Sequence, residues 1–222
     1  MQYVFKHTHP YEPFIDLTTE KLIVGTLPPP RFTTGELKKG DVDFCYGSSD
    51  GQLWPILNEI FDLELVFETT LEAIEQRKAF LRGRKIGVCD IVASAERTKV
   101  DASDIGMQNI ELRDVLSYLE KYTKVHTLLF TGGNSKNGPE YFFRKHLKEY
   151  SVSLVKISDE VPRIHEFTHP ITNKTIKTIS LIAPSGAANR AVGSLNAYKK
   201  MKLQDPEFNT VDFRVLQYKD YF

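Results

Sequence analysis

Loops of small and polar residues follow four short apolar runs of this sequence. They are Gly25 to Pro30, Asp90, Thr131 to Gly138, and Ala183 to Arg190. Ligand-binding residues of open α/β sheets collect just past the carboxyl ends of the strands, so chemistry is expected in these loops. The glycines match neither the Walker spacing nor a G-x-G-x-x-G pattern, which disfavours the usual modes of nucleotide phosphate binding.

The segment from Asp41 to Leu57 combines aromatic side chains, carboxylates and a turn ahead of a predicted helix. Tyr46 could stack on a planar ligand, as aromatic side chains do on extruded bases. It could equally pack in the core with Phe44 and Trp54, as most aromatic side chains do. These residues alone leave both interpretations open.

Basic residues are concentrated in the segment from Val161 to Gln204, where the only acid is Glu166. Lysine and arginine bind polyanions by displacing condensed counterions. A loop of small residues, Pro184 to Asn189, could press its backbone into a groove beside Arg190. This pattern favours a nucleic-acid surface over a solvated cationic face. The basic residues are Arg163, Lys174, Lys177, Arg190, Lys199, Lys200 and Lys202.

Two histidine pairs have spacings that resemble metal sites. His7 and His9 would share one face of a strand, and His165 and His169 are four residues apart. Pro170 interrupts the second pair, and neither pair has a nearby acidic or cysteine ligand. We therefore expect no metal and no cofactor.

Composition describes an ordinary globular protein. The 222 residues are 41% hydrophobic and 26% charged, with 29 Lys and Arg against 29 Asp and Glu, which excludes disordered and fibrous classes. Cys45 and Cys89 cannot form a disulfide scaffold or an iron–sulfur site and have no nucleophile context. No run approaches the roughly 18 apolar residues of a membrane span. We expect a soluble, cytoplasmic monomer with one domain, 1–222.

Short β-branched runs alternate with segments of helical periodicity. The predicted strands are Lys21 to Val24, Ile86 to Cys89, Val125 to Phe130 and Thr178 to Ile182. The predicted helices are Leu53 to Phe61, Leu71 to Leu81, Leu112 to Tyr122 and Glu140 to Tyr150. This order predicts a three-layer α/β sandwich with a central, mostly parallel β-sheet.

Taken in order, the loops resemble the motifs of the uracil-DNA glycosylase superfamily over nearly the whole chain. Leu22 to Pro29 is similar to the first motif, a strand followed by a G-x-x-P loop, and Ile182 to Asn189 to the second, which ends in Ala-Asn. Tyr46 to Leu57 resembles the tyrosine-to-tryptophan segment of the mismatch-specific and hypoxanthine-DNA glycosylase branches. Further matches fall at Gly87 to Asp90, Ser103 to Ile105 and Leu129 to Gly132.

The resemblance implies a uracil-DNA glycosylase-like fold and a monofunctional DNA glycosylase of base-excision repair. Such an enzyme flips a damaged or modified base, for example uracil or hypoxanthine, out of duplex or single-stranded DNA and hydrolyses its N-glycosidic bond without a metal. The positions implied to bind the base are Gly25, Leu27, Pro28, Tyr46 and Asn134. Those implied to contact DNA are Pro184, Ser185, Gly186, Ala187, Asn189 and Arg190.

The sequence departs from the family at the residue that orients the attacking water. Thr26 and Leu27 stand where many relatives carry asparagine or aspartate, and Gly51 stands where others carry asparagine. Asp50 is the predicted substitute, with Asp43 behind it, and Thr26 could hold water through its hydroxyl. Asp50 lies in Ser-Ser-Asp-Gly, which is also ordinary turn chemistry.

Two alternatives remain open. A catalytically silent DNA-binding relative would keep the fold and the basic loop and would bind DNA without releasing a base. A small-molecule hydrolase or nucleotide-binding protein would bind its ligand independently of salt and would not bind duplex DNA. A bifunctional lyase is disfavoured, because no lysine occupies a recognisable nucleophile position.

Overall fold

A computed structural model describes residues 4–222, which form an α/β structure with strands and helices interspersed along the chain. The strands are β1 (Phe5–Thr8), β2 (Lys21–Val24), β3 (Ile86–Val88), β4 (Val92–Arg97), β5 (Gln108–Leu112), β6 (Thr127–Phe130), β7 (Val155–Ser158), β8 (Arg163–Thr168) and β9 (Thr175–Ser180). The helices are α1 (Pro30–Thr34), α2 (Leu53–Phe61), α3 (Leu71–Gly83), α4 (Val115–Lys121), α5 (Pro139–Glu149), α6 (Asn189–Ser194), α7 (Asn196–Gln204) and α8 (Thr210–Lys219).

The central sheet has six strands in the order β3-β2-β6-β9-β8-β7. Strands β3, β2, β6 and β9 are parallel, whereas β8 and β7 run antiparallel to their neighbours. The prediction of a mostly parallel sheet is therefore wrong, and the sheet is mixed. The connections at 159–162 and 169–174 are too short for a parallel crossover, which needs a dozen or more residues, so β7 to β9 form hairpins.

A second sheet of three antiparallel strands has the order β1-β4-β5. The sequence placed His7 on a strand, which is β1, whereas β4 and β5 were not predicted. Strand β5 is mostly exposed, and its pairing with β4 shifts register twice, so the alternation of polar and apolar residues is weak there. This sheet carries the segment that leads from β4 to the 3-10 turn Asp104–Gly106.

The two faces of the central sheet are covered by separate cores. Side chains of a strand point alternately to opposite faces, so Leu22 packs against α4 and α5 while Ile23 packs against α2, α3 and α8. Leu128 and Leu129 of β6 divide in the same way. Helices on both faces of a central sheet agree with the predicted sandwich.

The predicted helices are confirmed, with ends that differ by a few residues. Helix α2 matches the predicted range, and Trp54 is buried in it with its Nε1–H donating to Cys45 O at 2.9 Å. The strand predicted at Thr178 to Ile182 begins and ends earlier, as β9. Neither Cys45 nor Cys89 forms a disulfide, and both are buried. Within residues 4–222, no helix combines the length and the hydrophobicity that crossing a membrane requires.

Candidate functional site

Asp90 is the centre of a cluster that joins several of the loops at the carboxyl ends of the parallel strands. It follows β3 and is 6% exposed. Its carboxylate accepts hydrogen bonds from Gly25 N at 2.6 Å, Tyr46 Oη at 2.7 Å and His9 Nε2 at 3.0 Å. Tyr46 Oη also lies 3.2 Å from Thr131 Oγ1 in the loop after β6. Three strand exits and the Tyr46 segment therefore meet at one buried carboxylate.

Gly25 is required by this cluster. A Cβ at position 25 would lie 2.3 Å from Tyr46 Oη and 2.9 Å from both Asp90 Oδ1 and Thr131 Oγ1. Real Cβ atoms essentially never approach so closely, so any larger residue would displace the side chains. The glycine of the first loop thus allows the backbone to approach Asp90 and Tyr46.

The hydrogen bonds of His9 define its tautomer. Its Nδ1 accepts from the backbone N–H of Tyr11 at 3.2 Å, so the proton is assigned to Nε2, which donates to Asp90. The imidazole in this arrangement is neutral. Within residues 4–222, no Lys or Arg nitrogen lies within 4.0 Å of the Asp90 carboxylate. The negative charge of Asp90 is therefore held by neutral donors.

Tyr46 has a left-handed backbone conformation, with φ of 59°. Such a conformation costs a non-glycine residue roughly 1–2 kcal/mol, and the bonds of its hydroxyl to Asp90 and Thr131 offset that cost. Burial, followed by the negative charge of Asp90, raises the pKa of the Tyr46 hydroxyl well above its usual value. The hydroxyl is therefore a fixed donor to Asp90.

The cavity beside Tyr46 is small in this conformation. It has a volume of about 30 Å³ and is bordered by the turn from Gly47 to Gly51 and by Trp54. That space holds about one water molecule. Its lining includes Phe67 and Arg77 but not Gly25, Thr26 or Asp90, so it is not the space between the strand-exit loops.

The other positions implied to bind a base do not all join the Asp90 cluster. Leu27 packs against the core on the α4 and α5 side, and Pro28 is half-buried. Asn134 is exposed in the loop after β6. Of these base-binding candidates, the structure brings Gly25 and Tyr46 into direct contact with Asp90.

The two aspartates of the Tyr46 segment lie on its solvent side. Asp50 has a side chain that is 69% exposed and pairs with Arg31 Nη2 at 3.1 Å and Lys38 Nζ at 3.8 Å. Asp43 is also exposed, and its Oδ1 accepts from Tyr11 Oη at 2.7 Å. Neither carboxylate hydrogen-bonds to Thr26 or to the Asp90 cluster.

A buried ion pair fixes the turn that carries Asp50. Arg31 donates through Nε and Nη2 to both oxygens of Asp41, at 2.7 and 2.9 Å. Burial opposes ionisation of Asp41, but the bonds from Arg31 and from the backbone of Ser49 and Lys38 outweigh it and hold its pKa below the ordinary range. Arg31 also donates to Ser48 Oγ at 2.8 Å.

The loop from Pro184 to Arg190 is held by Arg214 of α8, a contact that was not predicted from the sequence. This fully buried guanidinium donates to Ala183 O, Ser185 O and Asn189 Oδ1 at 2.9–3.0 Å. Pro184 is buried, whereas Gly186, Ala187 and Arg190 are exposed. The exposed tip is thus presented on a rigid base.

This loop is joined to the Tyr46 segment by backbone pairing. Gln52 N donates to Pro184 O at 2.9 Å, and Gly51 forms an antiparallel bridge with Ser185. The sequence placed both segments at the site, and the structure adds their direct contact.

The basic residues of Val161 to Gln204 are divided between the two ends of the sheet. Lys174 Nζ donates to Thr123 O and Val125 O at 2.6 and 2.8 Å, and Lys177 pairs in register with Thr127, the first residue of β6. These two lie at the amino ends of the parallel strands. The residues that lie beside the 184–190 loop are Arg190 of α6 and Lys199, Lys200 and Lys202 of α7.

Thr26 contacts a residue that sequence reasoning did not select. Its Oγ1 donates to Asp104 Oδ1 at 2.8 Å. Asp104 begins the 3-10 turn after β4 and is partly exposed. Its place in a turn between two unpredicted strands hid this contact, although Ser103 to Ile105 had matched the family pattern. Asp90 was visible only as a strand exit.

The histidines are used in protein contacts. His9 bonds to Asp90, His7 Nδ1 accepts from Arg97 Nε at 2.8 Å, and His169 Nε2 donates to Leu116 O at 3.0 Å. Within the described part of the chain, no three His, Cys, Asp or Glu side chains are grouped to hold a metal ion.

Comparison with known proteins gives one structural likeness. The chain matches no family model and no curated protein. The fold is similar to a solution NMR structure from Methanosarcina acetivorans of a protein provisionally assigned as a uracil-DNA glycosylase, with a TM-score of 0.53 and 15% identity over 95% of this chain and 99% of that one. At this identity the likeness establishes a shared fold. Membership of the uracil-DNA glycosylase superfamily, and the branch within it, remain predictions.

Proposed function

We propose that this protein is a monofunctional DNA glycosylase that flips a damaged or modified base and hydrolyses its N-glycosidic bond. The observation that carries the proposal is the convergence of the strand-exit loops on Asp90 and Tyr46, in the order expected from the superfamily motifs. The shared fold with a protein provisionally assigned as a uracil-DNA glycosylase supports it. Uracil, hypoxanthine and related bases are the candidate substrates.

The charge of the site suits this reaction. Cleavage of an N-glycosidic bond passes through an oxocarbenium-like sugar, which a nearby negative charge stabilises. Asp90 supplies such a charge, because its partners His9, Tyr46 and the Gly25 amide are neutral. The ring of Tyr46 would stack on the base. The exposed tip at Gly186, Ala187 and Arg190 would fill the gap left in the duplex.

One observation favours a second candidate, a silent DNA-binding protein. Gly51 has no side-chain amide that could orient water, and neither Thr26 nor Leu27 supplies a side-chain amide or carboxylate in the first loop. Such a protein would bind DNA through the same loop and leave every base in place.

The deciding experiment measures base release from labelled oligonucleotides that carry uracil, hypoxanthine, xanthine or a modified pyrimidine. Each is offered as a single strand, a matched duplex and a mismatch, and abasic sites are revealed by alkali. We expect release from at least one of them. If every strand stays intact while duplex binding remains salt-dependent, silent binding is the function.

A pair of glycine variants shows whether release arises at the Asp90 cluster. Gly25→Ala places a Cβ 2.3 Å from Tyr46 Oη and is expected to abolish release. Gly83→Ala, at the end of α3, meets no atom within 4 Å and is expected to leave release unchanged. Equal release from both variants would place the activity elsewhere on the protein or in a contaminant.

A further inference from the structure

Asp104 has the free oxygen that a water-binding carboxylate needs. Thr26 donates to Oδ1, and no other hydrogen bond from residues 4–222 reaches the carboxylate, so Oδ2 is available. Asp104 is partly exposed, so solvent can approach it. Thr26 belongs to the loop directly after Gly25, and the carboxylate is therefore fixed to the backbone segment that leads into the Asp90 cluster.

The backbone around Asp104 is held by two buried side chains. Asn137 Nδ2 donates to Asp104 O at 2.9 Å and to Met107 O at 3.2 Å. Arg97 Nη1 donates to Ser103 O at 2.6 Å. Asn137 is 5% exposed and Arg97 is 1% exposed. Reactive side chains need supporting contacts of this kind, because a carboxylate on a loose turn cannot hold water in one geometry.

Several charges act on Asp104. Burial raises its pKa, the Thr26 hydroxyl and the positive charge of Arg97 lower it, and the charge of Asp90 raises it, with a net increase. Asp101, on the same turn, lies 3.6 Å from Arg97 Nη1. A carboxylate with a raised pKa is a stronger base towards water than an ordinary aspartate.

The other carboxylates near the loops are less suited to this role. Asp90 already accepts three hydrogen bonds and is nearly inaccessible. Asp50 is paired with Arg31 and Lys38 on the solvent side, and Asp43 is bonded to Tyr11. Asp104 combines partial burial, an unoccupied oxygen and a contact with the first loop.

We propose that Asp104 orients and deprotonates the attacking water and that Thr26 is the residue that positions it. This inference rests on the proposed glycosylase function. The water oxygen forms a bond to C1′ of the deoxyribose, and the bond from C1′ to the base nitrogen breaks with its electron pair leaving on the base. The water proton passes to Asp104 and then to the departing base or to solvent. The products are the free base and an abasic sugar with a hydroxyl at C1′.

The test is single-turnover base release from the oligonucleotide that wild type cleaves, measured as a function of pH. Asp104→Asn is expected to lower the rate by about 10²–10⁴-fold. The pKa of Asp104 is raised above that of an ordinary aspartate, and the wild-type rate should fall as the pH drops through it. This fall is the acidic limb of the pH profile, and the variant should lack it. Asp62→Asn, at the exposed left-handed end of α2, is the matched control and should keep both rate and pH profile.

The Thr26 variants separate positioning from folding. Thr26→Ser keeps the hydroxyl and should retain the wild-type rate and pH limb, whereas Thr26→Val should lower the rate and shift the limb. If Asp104→Asn does not fold, this pair and the wild-type limb still decide the inference. Thr26→Val with the wild-type rate and limb would overturn it.

Different results would refute the proposed role of Asp104 and the proposed glycosylase function. Release by wild type together with an unchanged rate and pH limb in Asp104→Asn would refute the role of Asp104 and leave the glycosylase function standing. Wild type that releases no base from any substrate would refute the glycosylase function and the role of Asp104 with it.

Discussion

Two buried carboxylates at the carboxyl ends of the parallel strands are stabilised in opposite ways. Glu140, in the first turn of α5, accepts from Arg144 at 2.8 Å, Arg163 at 3.0 Å and Ser180 at 2.6 Å. Asp90 accepts from a backbone amide, a tyrosine and a neutral histidine. Glu140 is therefore neutralised by cations, whereas the Asp90 carboxylate is bonded by neutral donors, and the Arg113 guanidinium donates instead to the backbone oxygen of Asp90 at 3.4 Å. The contacts of Glu140 stabilise the folded protein, whereas those of Asp90 leave the negative charge of its carboxylate in place.

The largest effect is expected from Glu140→Gln. The amide leaves two guanidinium groups without their carboxylate, and breaking such a buried pair costs about 3–5 kcal/mol. The measurement is the free energy of unfolding in urea. Glu149→Gln, on the exposed side of the same helix, should change it by less than about 1 kcal/mol. If Glu140→Gln lowered the free energy of unfolding as little as the control does, Glu140 and Asp90 would no longer differ in their contribution to stability.

The contact between Arg97 and His7 extends the comparison to a buried cation, the Arg97 guanidinium, whose partner His7 is a histidine. Burial, followed by the charge of Arg97, lowers the pKa of His7 from 6.5 to about 4. Between these values the unfolded chain binds a proton that the folded protein excludes, so the free energy of unfolding falls by roughly 3 kcal/mol as pH decreases from 6.5 to 4.

His7→Asn keeps an acceptor for Arg97 and removes this titration. Its unfolding free energy should therefore depend less on pH across that window than that of wild type. Urea midpoints above pH 6.5 and near pH 4 provide the measurement. Identical slopes would mean that folding does not lower the pKa of His7.

Asp90→Asn should cost less than Glu140→Gln, about 1–3 kcal/mol. The amide retains one acceptor oxygen, but its NH₂ group meets a donor from His9, Gly25 or Tyr46. Urea unfolding of the two variants side by side is the check. A loss equal to or larger than that of Glu140→Gln would make Asp90 the stronger structural anchor and weaken its assignment as a retained charge.

The smallest effect on stability is expected from Arg190→Ala. A site that keeps negative charge needs its phosphate-binding cations at the rim, where Arg190 is exposed. We expect unfolding to change by less than about 0.5 kcal/mol and the slope of duplex affinity against salt to decrease by about 0.9. Lys177→Ala, at the opposite end of the sheet, should keep the wild-type slope. Equal slopes for both variants would remove Arg190 from the interface.

The central part of the fold could be predicted because its strands are buried on both faces. Short apolar runs predicted the strands at Lys21 to Val24 and Thr127 to Phe130, and a clear helical period predicted α2. Strands β5 and β7 could not be found in this way, because their residues are largely exposed. The directions of strands β7 and β8 could not be predicted either, because hydrophobicity does not distinguish a hairpin from a parallel crossover.

The candidate site was predictable as a set of loops and not as a set of contacts. Glycine and proline after a strand point to an exit loop, which located Gly25 and Pro184. The partners that hold those loops come from distant segments, as His9 does for Asp90 and Arg214 for Ser185. Asp104 was hidden for the same reason, because its contact with Thr26 spans 78 residues.

The bridge between Gly51 and Ser185 joins the loop that is proposed to contact DNA to the segment that carries Tyr46. Pulling the 184–190 loop towards a duplex acts on the segment that closes the small cavity, because the two backbones share hydrogen bonds. Under the proposed function, binding energy from the duplex would therefore contribute to rearranging the Tyr46 segment, and DNA binding would be thermodynamically coupled to that rearrangement. A free nucleoside lacks this contribution, so we expect it to be a much poorer ligand than the same base within a strand.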